Sequence, residues 1–294
     1  QSDLIIYFLK RDSLIVDKKS FISLISTDSI AQGDSRELGI KPLLDSDFKI
    51  NYAKTSIKWP GKAAVKVSLV TFNKTNAKLK VILNEKPVEF IDSFLEDNVE
   101  VGLPFELFQN SNKCFKGVVL MGMGFVIDET LRSKLEAEDI IYNEIIFDFL
   151  NGEDLNESFS QIPSRIVINL SEYSLEEAET KFPLALRIIE ERVQEYRKTI
   201  STDKRTTEKW WQFSRPRPEL NLAKRSKQIV FTRSMTSKYN SICFKSPEIV
   251  FDQALVVFTE DSFSFYTNVQ NTFHDEWVNK YSSELGQTGR YNIN

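Results

Sequence analysis

The sequence predicts an α/β chain followed by a mixed α+β region: the C-terminal half of a doubly wound sheet, closed by an antiparallel hairpin, and then a second domain of short strands and helices. Three observations carry this. Residues 1–74 read helix, strand, helix, strand, strand, the order in which a doubly wound sheet finishes. The last two strands alternate apolar and polar residues on either side of Pro60-Gly61-Lys62, a turn composition, so they pair antiparallel. Beyond residue 112 short apolar runs and amphipathic stretches follow one another without a repeat.

Each element follows from local pattern. In SDLIIYFLKRDSLIV (2–16), Leu4, Ile5, Phe8 and Leu9 recur at helical spacing behind Ser2 or Asp3 as N-cap. SFISLIST (20–27) runs apolar like a buried strand. A polar turn with Gly33 follows, and a new helix is expected at Ser35. DFKINYAKTSIKW (47–59) and AAVKVSLVTFNK (63–74) are the hairpin strands. KLKVIL and PVEFI are short strand candidates, and KGVVLMGMGFVID (116–128), with three glycines, reads as strand, turn, strand. LRSKLEAEDIIYNEIIFDFL (131–150) is expected to be mostly helical, with Gly152 ending the helix in a left-handed conformation. SRIVINL (164–170) is a strand. Ser174 and Glu177 form a capping box ahead of a helix that Pro183 restarts. QIVFTRS, SICFK and ALVVFT are strands, and a helix runs from Ser262 to about Lys280.

Composition excludes several classes of function. Of 294 residues 41% are hydrophobic and 27% charged, as in a globular protein, and no apolar run is long enough to span a bilayer. Cys114 and Cys243 lie far apart with no CxxC, and His274 is the sole histidine. That leaves no disulfide framework, fits a reducing cytoplasm, and nearly excludes a zinc site or a Ser-His-Asp hydrolase; no metal is expected. His274, beside Phe273 and Trp277, reads as a packing or capping residue.

The net charge of −4 argues against a simple basic nucleic-acid binder. It is unevenly spread, however. From Arg187 to Lys238 fourteen Lys or Arg face six Asp or Glu, a local +8 that leaves −12 on the rest. Such a block suits either a polyanion groove or a solvated helical face. Within it lies TEKWWQFSRPRPEL (207–220), where Trp210, Trp211 and Phe213 run into Arg215 and Arg217 with Pro216 and Pro218 interleaved. Two prolines forbid a continuing helix and hold the strip extended, so both arginines are expected on one side, with the tryptophans anchored in the core.

Seven segments in order carry a resemblance: STDSIAQGDSRELG (26–39), SIKWPGKAAVKVSLV (56–70), GVVLMGMGF (117–125), FLNGEDLN (149–156), SRIVINL (164–170), EKWWQFSRPRPEL (208–220) and FHDEW (273–277). Together they resemble the C-terminal part of the MmeI-like adenine-specific DNA methyltransferases, the fused restriction–modification enzymes. The resemblance implies a γ-type, S-adenosylmethionine-dependent N6-adenine methyltransferase domain ending in residues 1–76, a connecting segment 77–112, and a DNA target recognition domain over 113–294. It also implies that the cofactor's Gly-rich loop and the Asn-Pro-Pro-aromatic catalytic motif precede Gln1. Neither occurs in this chain, which is therefore expected to be a piece of a longer protein, inactive alone. Whether the parent also cuts DNA is left open. The expected partners are double-stranded DNA and the N-terminal catalytic region in cis, or a separate methyltransferase chain if this is a stand-alone DNA specificity subunit. A protein-interaction domain with an incidental basic block is the third reading.

On that resemblance, an adenine extruded from the duplex needs a flat or apolar wall. Trp59, at the hairpin turn, is the first candidate and Phe72 the second; the alternative for Trp59 is packing against the next domain. Asp28, Gln32, Asp34 and Arg36 crowd the loop after the first strand and are expected to face a ligand cleft, or in part to cap the next helix. Candidates for the DNA backbone are Lys58, Arg197, Lys198, Lys204, Arg205, Lys209, Arg215 and Arg217, the strip being otherwise a salt-bridged corner. Candidates for reading bases are Arg233, Ser234, Lys238, Tyr239 and Asn240, a set that loop polarity alone would also produce. Asp154 and Asn156 are expected to organise a turn.

Overall fold

The computed structural model describes residues 3–63, 65–74, 78–98, 105, 107–285, 288–291 and 293. The chain divides into two compact units, 1–106 with 276–292, and 107–275 with 293–294.

The first unit opens with the helix Leu4–Ile15, capped by Asp3, whose side chain accepts from the Ile5 amide. It buries Ile6 and Leu9 and leaves Leu4, Tyr7, Phe8, Leu14 and Ile15 exposed. Strand β1 is Phe21–Thr27. It is not a fully buried strand: Ile22 is buried while Phe21 and Ile25 are exposed, because β1 is an outer strand. A 3-10 turn, Asp28–Ala31, leads into helical residues 33–44, whose middle turn Arg36–Ile40 is a π-helix. The helix thus begins at Gly33, ahead of the expected Ser35, and neither Asp34 nor Ser35 caps it.

Strands β2 (Lys49–Lys58) and β3 (Lys66–Asn73) form the expected antiparallel pair. With β4 (Val81–Leu83) and β5 (Lys86–Val88) they complete a mixed sheet of order β1-β3-β2-β4-β5. β3 is antiparallel to both β1 and β2, so it sits between two strands of one direction. The core beneath is Leu9, Ile22, Ile30, Ile40, Phe48, Ile50, Val70 and Phe72. The other edge of β1 pairs with no described strand.

The second unit holds two four-stranded sheets. One has the order β11-β10-β13-β6, built from β6 (Cys114–Lys116), β10 (Val230–Ser234), β11 (Cys243–Lys245) and β13 (Leu255–Phe258), all antiparallel. The other has the order β12-β8-β9-β7, from β7 (Val126–Ile127), β8 (Ile146–Leu150), β9 (Arg165–Ile168) and β12 (Val250–Phe251). Here β12 runs parallel to β8. A last ladder pairs β14 (Ser283–Leu285) with β15 (Thr288–Arg290), within the span of the first unit.

Several local expectations are corrected. The helix Glu129–Glu138 stops at Asp139, and IFDFL, read as helix, is β8: its Phe149 and Leu150 are buried on a sheet. Gly152 ends no helix. It is the first residue of the helix Gly152–Asn156, where Asn151 and Asp154 form a reciprocal capping box. Between β6 and β7 the glycine-rich stretch is irregular, held by single bridges Val118–Asp252 and Val119–Arg215. Gly117 is required there, because a Cβ would lie 2.2 Å from the carbonyl oxygens of Phe251 and Asp252. The Ser174–Glu177 box forms as expected, and Pro183 begins the next helix. That helix runs over 183–200 with a π turn at Glu190–Gln194. The C-terminal helix is two, Phe263–Val269 behind Ser262 and Thr272–Tyr281.

No helix among the described residues is long and apolar enough to cross a membrane. Both cysteines are free, and burial pushes the Cys114 thiol up to about 12.

Candidate nucleic-acid interface

The cationic stretch is organised by one buried side chain. Arg197, fully buried on the helical segment Glu195–Ile200, meets no carboxylate in its ring of partners. Its Nη2 donates to the Leu120 carbonyl at 2.6 Å, its Nη1 to Gln212 at 2.8 Å and Trp210 at 3.2 Å, and its Nε to Met121 at 3.4 Å. The carbonyls of Thr206 and Lys209 complete the ring. Desolvation pulls its pKa down to about 10, which leaves it charged at neutral pH. A guanidinium suits this place because its planar fork of donors can satisfy several carbonyls at once. As a DNA-backbone candidate Arg197 is therefore corrected: its charge is spent inside the protein.

The aromatic half of the strip anchors as expected. Trp210, Trp211 and Phe213 are buried in the larger core. The two indoles meet edge to face at 5.9 Å, and Phe213 meets Phe125 likewise at 5.2 Å. Trp211 Nε1 donates to the Tyr173 carbonyl at 3.0 Å. The arginine half departs from expectation. Arg215 is extended and exposed, and its backbone exchanges two hydrogen bonds with Val119. Arg217 is not extended: its φ is +54°, and it stands as N-cap of the helix Pro218–Lys224. Its Nε donates to the Gly117 carbonyl at 3.3 Å and its Nη1 lies 3.9 Å from Glu219. The two side chains therefore do not share one side of a straight strip.

Of the fourteen cations in the basic block, Arg197, Lys224 and Arg233 are buried, so the surface charge is smaller than the sequence suggests. Lys224 Nζ donates to the Ile249 carbonyl at 2.7 Å, and burial pulls its pKa to about 8. Lys204, Arg205 and Lys209 are exposed on and after the short helix Lys204–Glu208. Lys198 is exposed and paired with Glu195 at 2.6 Å; Lys58 is exposed at the end of β2.

The base-reading candidates divide. Arg233 and Ser234 lie in β10, where every residue is buried. Arg233 donates to Asn240 Oδ1 and to the Ser234 carbonyl, and Ser234 accepts from Asn156 Nδ2. Neither reaches a groove, which corrects both. Asn240 is half-buried, its carbonyl accepting from Gln270 Nε2 at 2.6 Å. Lys238 and Tyr239 remain exposed, the ammonium 5.2 Å from the ring centroid. His274 is the packing residue expected: its Nδ1 donates to the Val269 carbonyl at 2.6 Å.

In the first unit, Asp28 and Gln32 line a cleft of about 500 Å³ with Thr55, Ser56, Ser68 and Glu96. Asp28 ties its wall together. Its carboxylate accepts from Ser68 Oγ at 2.6 Å, Ser56 Oγ at 3.1 Å and the Ser56 amide at 3.3 Å. Ser56 has φ +55° at an irregularity of β2, so Asp28 pins the bulge from which the hairpin turn projects. Asp34 is exposed outside this lining, and Arg36 turns inward, buried with its guanidinium 3.8 Å over Phe94 and donating to Ser93 Oγ. Phe72 is fully buried in the core, which corrects it as a base wall. Trp59 is 41% exposed, its indole folded over Gly61, where a Cβ would lie 2.5 Å from Nε1.

Sequence reasoning missed the Asp28–Ser56–Ser68 cluster and the side chains Arg165, Tyr196 and Gln253, which share a second cleft. No local pattern signals either set, since each is assembled from segments distant in the chain.

Two comparisons bear on this arrangement. Residues 2–84 match the family model for the DNA-methyltransferase domain of MmeI. The fold matches that of the Type IIL restriction–modification enzyme MmeI, solved in complex with DNA, with a TM-score of 0.75 at 19% identity over 99% of this chain. The chain spans 40% of that enzyme's chain. No curated protein sequence matches. The resemblance drawn from the seven segments is thus borne out, in sequence over residues 2–84 and in fold along the chain.

Proposed function

We propose, from that likeness, that the chain is the DNA-engaging, sequence-recognising C-terminal portion of an S-adenosylmethionine-dependent N6-adenine methyltransferase of a restriction–modification system. The observation that carries the reading is the match of residues 2–84 to the MmeI DNA-methyltransferase domain. The exposed cations Lys198, Lys204, Arg205, Lys209 and Arg215 support duplex binding, since phosphate neutralisation needs charge at the surface. Residues 1–76 are read as the end of the methyltransferase domain, 77–112 as a connection and 113–294 as the target recognition domain.

Trp59 is the residue we assign to the wall beside an extruded adenine, with Lys58 on the adjoining phosphate. The half-exposed indole on a turn pinned through Ser56 supports this. S-adenosylmethionine would supply the methyl group in the parent. The described residues do not make a place for it. The turn after β1 passes through a 3-10 segment into a lone Gly33, without a glycine cradle. The free edge of β1 and the exposed Phe21 and Ile25 support a partner in cis, the preceding part of the parent continuing the sheet.

The test is affinity for a mixed-sequence duplex as a function of salt. About six phosphate contacts give a log–log slope of roughly −5, and each cation removed takes away about 0.9. Lys204→Gln, Arg205→Gln and Lys209→Gln together are expected to flatten the slope by two to three units. Absence of any duplex binding at low salt, in this chain and in the full-length parent alike, refutes the reading.

A further inference from the structure

The second unit contains a cleft of about 470 Å³. Leu120 and Phe149 are among its apolar lining, Tyr196 is 48% exposed, and Arg165, Asp252 and Gln253 supply polar groups. The cleft is stiff. Arg197 holds the carbonyls of Leu120 and Met121. Met121 has φ +54° and Gly122 φ +109°, and a Cβ on Gly122 would lie 2.9 Å from the Tyr196 ring. Strained backbone of this kind persists where the surroundings over-determine it, commonly at ligand sites.

The cleft is also joined to the cationic strip. Val119, in its lining, exchanges both backbone hydrogen bonds with Arg215. The guanidinium of Arg197 that grips Leu120 also grips the carbonyls of Trp210 and Gln212. One rigid assembly therefore carries an exposed arginine and, beside it, a concave surface.

The chemistry of that surface is selective. A phosphate would meet the carboxyls of Asp252 and of Glu153, which stands 3.6 Å from Arg165. A wholly apolar ligand would leave the Gln253 amide unsatisfied. A nucleobase satisfies all of it. Its edge suits Arg165, which can bond guanine N7 and O6 bidentately, and Gln253, which can bond adenine N6 and N7. Gln253 is exposed and has no side-chain hydrogen bond among the described residues, so it is available for this.

We infer that this cleft receives base edges of the DNA strand whose phosphates lie along Arg215, and that Arg165 and Gln253 are specificity-determining residues. The inference rests on the DNA-binding reading above. It replaces the buried Arg233 and Ser234 with residues that reach a surface.

The experiment is selection from a randomised duplex pool by the full chain, followed by affinity measurements on the selected duplex and on an unrelated one. The variants are Gln253→Ala, Arg165→Lys and Tyr196→Leu. Gln253→Ala is expected to weaken the selected duplex roughly ten- to a hundredfold, to relax one base position, and to leave unrelated-duplex affinity and its salt slope unchanged. Arg165→Lys keeps the charge and loses the fork, and is expected to relax a guanine position. The inference is overturned if the variants retain the selected sequence preference, or if both duplexes weaken equally. A wild-type chain that selects no sequence yet binds duplex also overturns it while leaving the DNA-binding reading intact. A wild type that binds no duplex brings down both. Gln253 is exposed, so its variant folds as the parent does and keeps the test decisive.

Discussion

Arg197 shows how a single side chain can decide a surface without being on it. Its donors occupy carbonyls from the segments at 120–121 and 206–212, which no other described side chain contacts in that way. Arg197→Met leaves the buried carbonyls of Leu120, Thr206 and Trp210 without the donor they have in the native protein, at about 1–3 kcal/mol each. We expect a loss of at least about 3 kcal/mol in denaturant unfolding of the second unit, and Arg197→Lys to recover only part of it. Gly117 is similarly intolerant: Gly117→Ala drives a Cβ into two carbonyl oxygens and is expected to lower the melting temperature measurably. His274 sets a pH dependence. Burial, the largest cause, holds its pKa below the usual histidine value, with Arg233 acting in the same sense and the Val269 hydrogen bond opposing. The unfolded chain therefore takes up the proton first. This contribution to stability is fully present above about pH 6.5, and is lost as pH falls from there towards the folded value. Urea midpoints measured between pH 8 and 5 should fall on the acid side, and His274→Gln should flatten that slope.

Among the elements, the β2–β3 hairpin depends on a residue outside it. Asp28 bonds both strands through Ser56 and Ser68, so it fixes the bulge below the Trp59 turn. Asp28→Ala is expected to raise hydrogen exchange at residues 56–59 and 66–68 severalfold while protection of the Val70–Phe72 core stays as it was; Asp28→Asn should give an intermediate result. The hairpin was legible from alternation and Pro60-Gly61, and the capping box from Ser174 and Glu177, because both signals are local. β8 was not legible. IIFDFL carries the apolar density of a buried helix as readily as that of a strand, and periodicity cannot separate them over so short a run. It is settled by pairing with β9 and β12, both far along the chain. Gly152 misled for a related reason: a glycine after an apolar run resembles a helix stop, yet Asn151 and Asp154 make it a start.

At the scale of the molecule, the first unit ends its sheet on an unpaired strand. β1 offers one free backbone edge among the described strands and carries the exposed Phe21 and Ile25. An edge of this kind recruits another strand. The chain in isolation is expected to self-associate in sedimentation experiments, and Ile25→Lys, which puts a charge on that edge, to reduce the association without lowering the melting temperature. A rise in monomer fraction only upon unfolding would speak against it. The order of elements in residues 1–74, the aromatic anchor at 210–213, the uneven charge and the likeness to MmeI-like enzymes were all determined by the sequence itself. They depend on local periodicity, turn chemistry and residue identity, which are written in neighbouring positions. Which cations face water, and which side chains meet in a cleft, was decided only by tertiary structure. Arg197, Lys224 and Arg233 are indistinguishable in sequence from Lys204, Arg205 and Arg215, and they differ because burial depends on what distant segments pack above them.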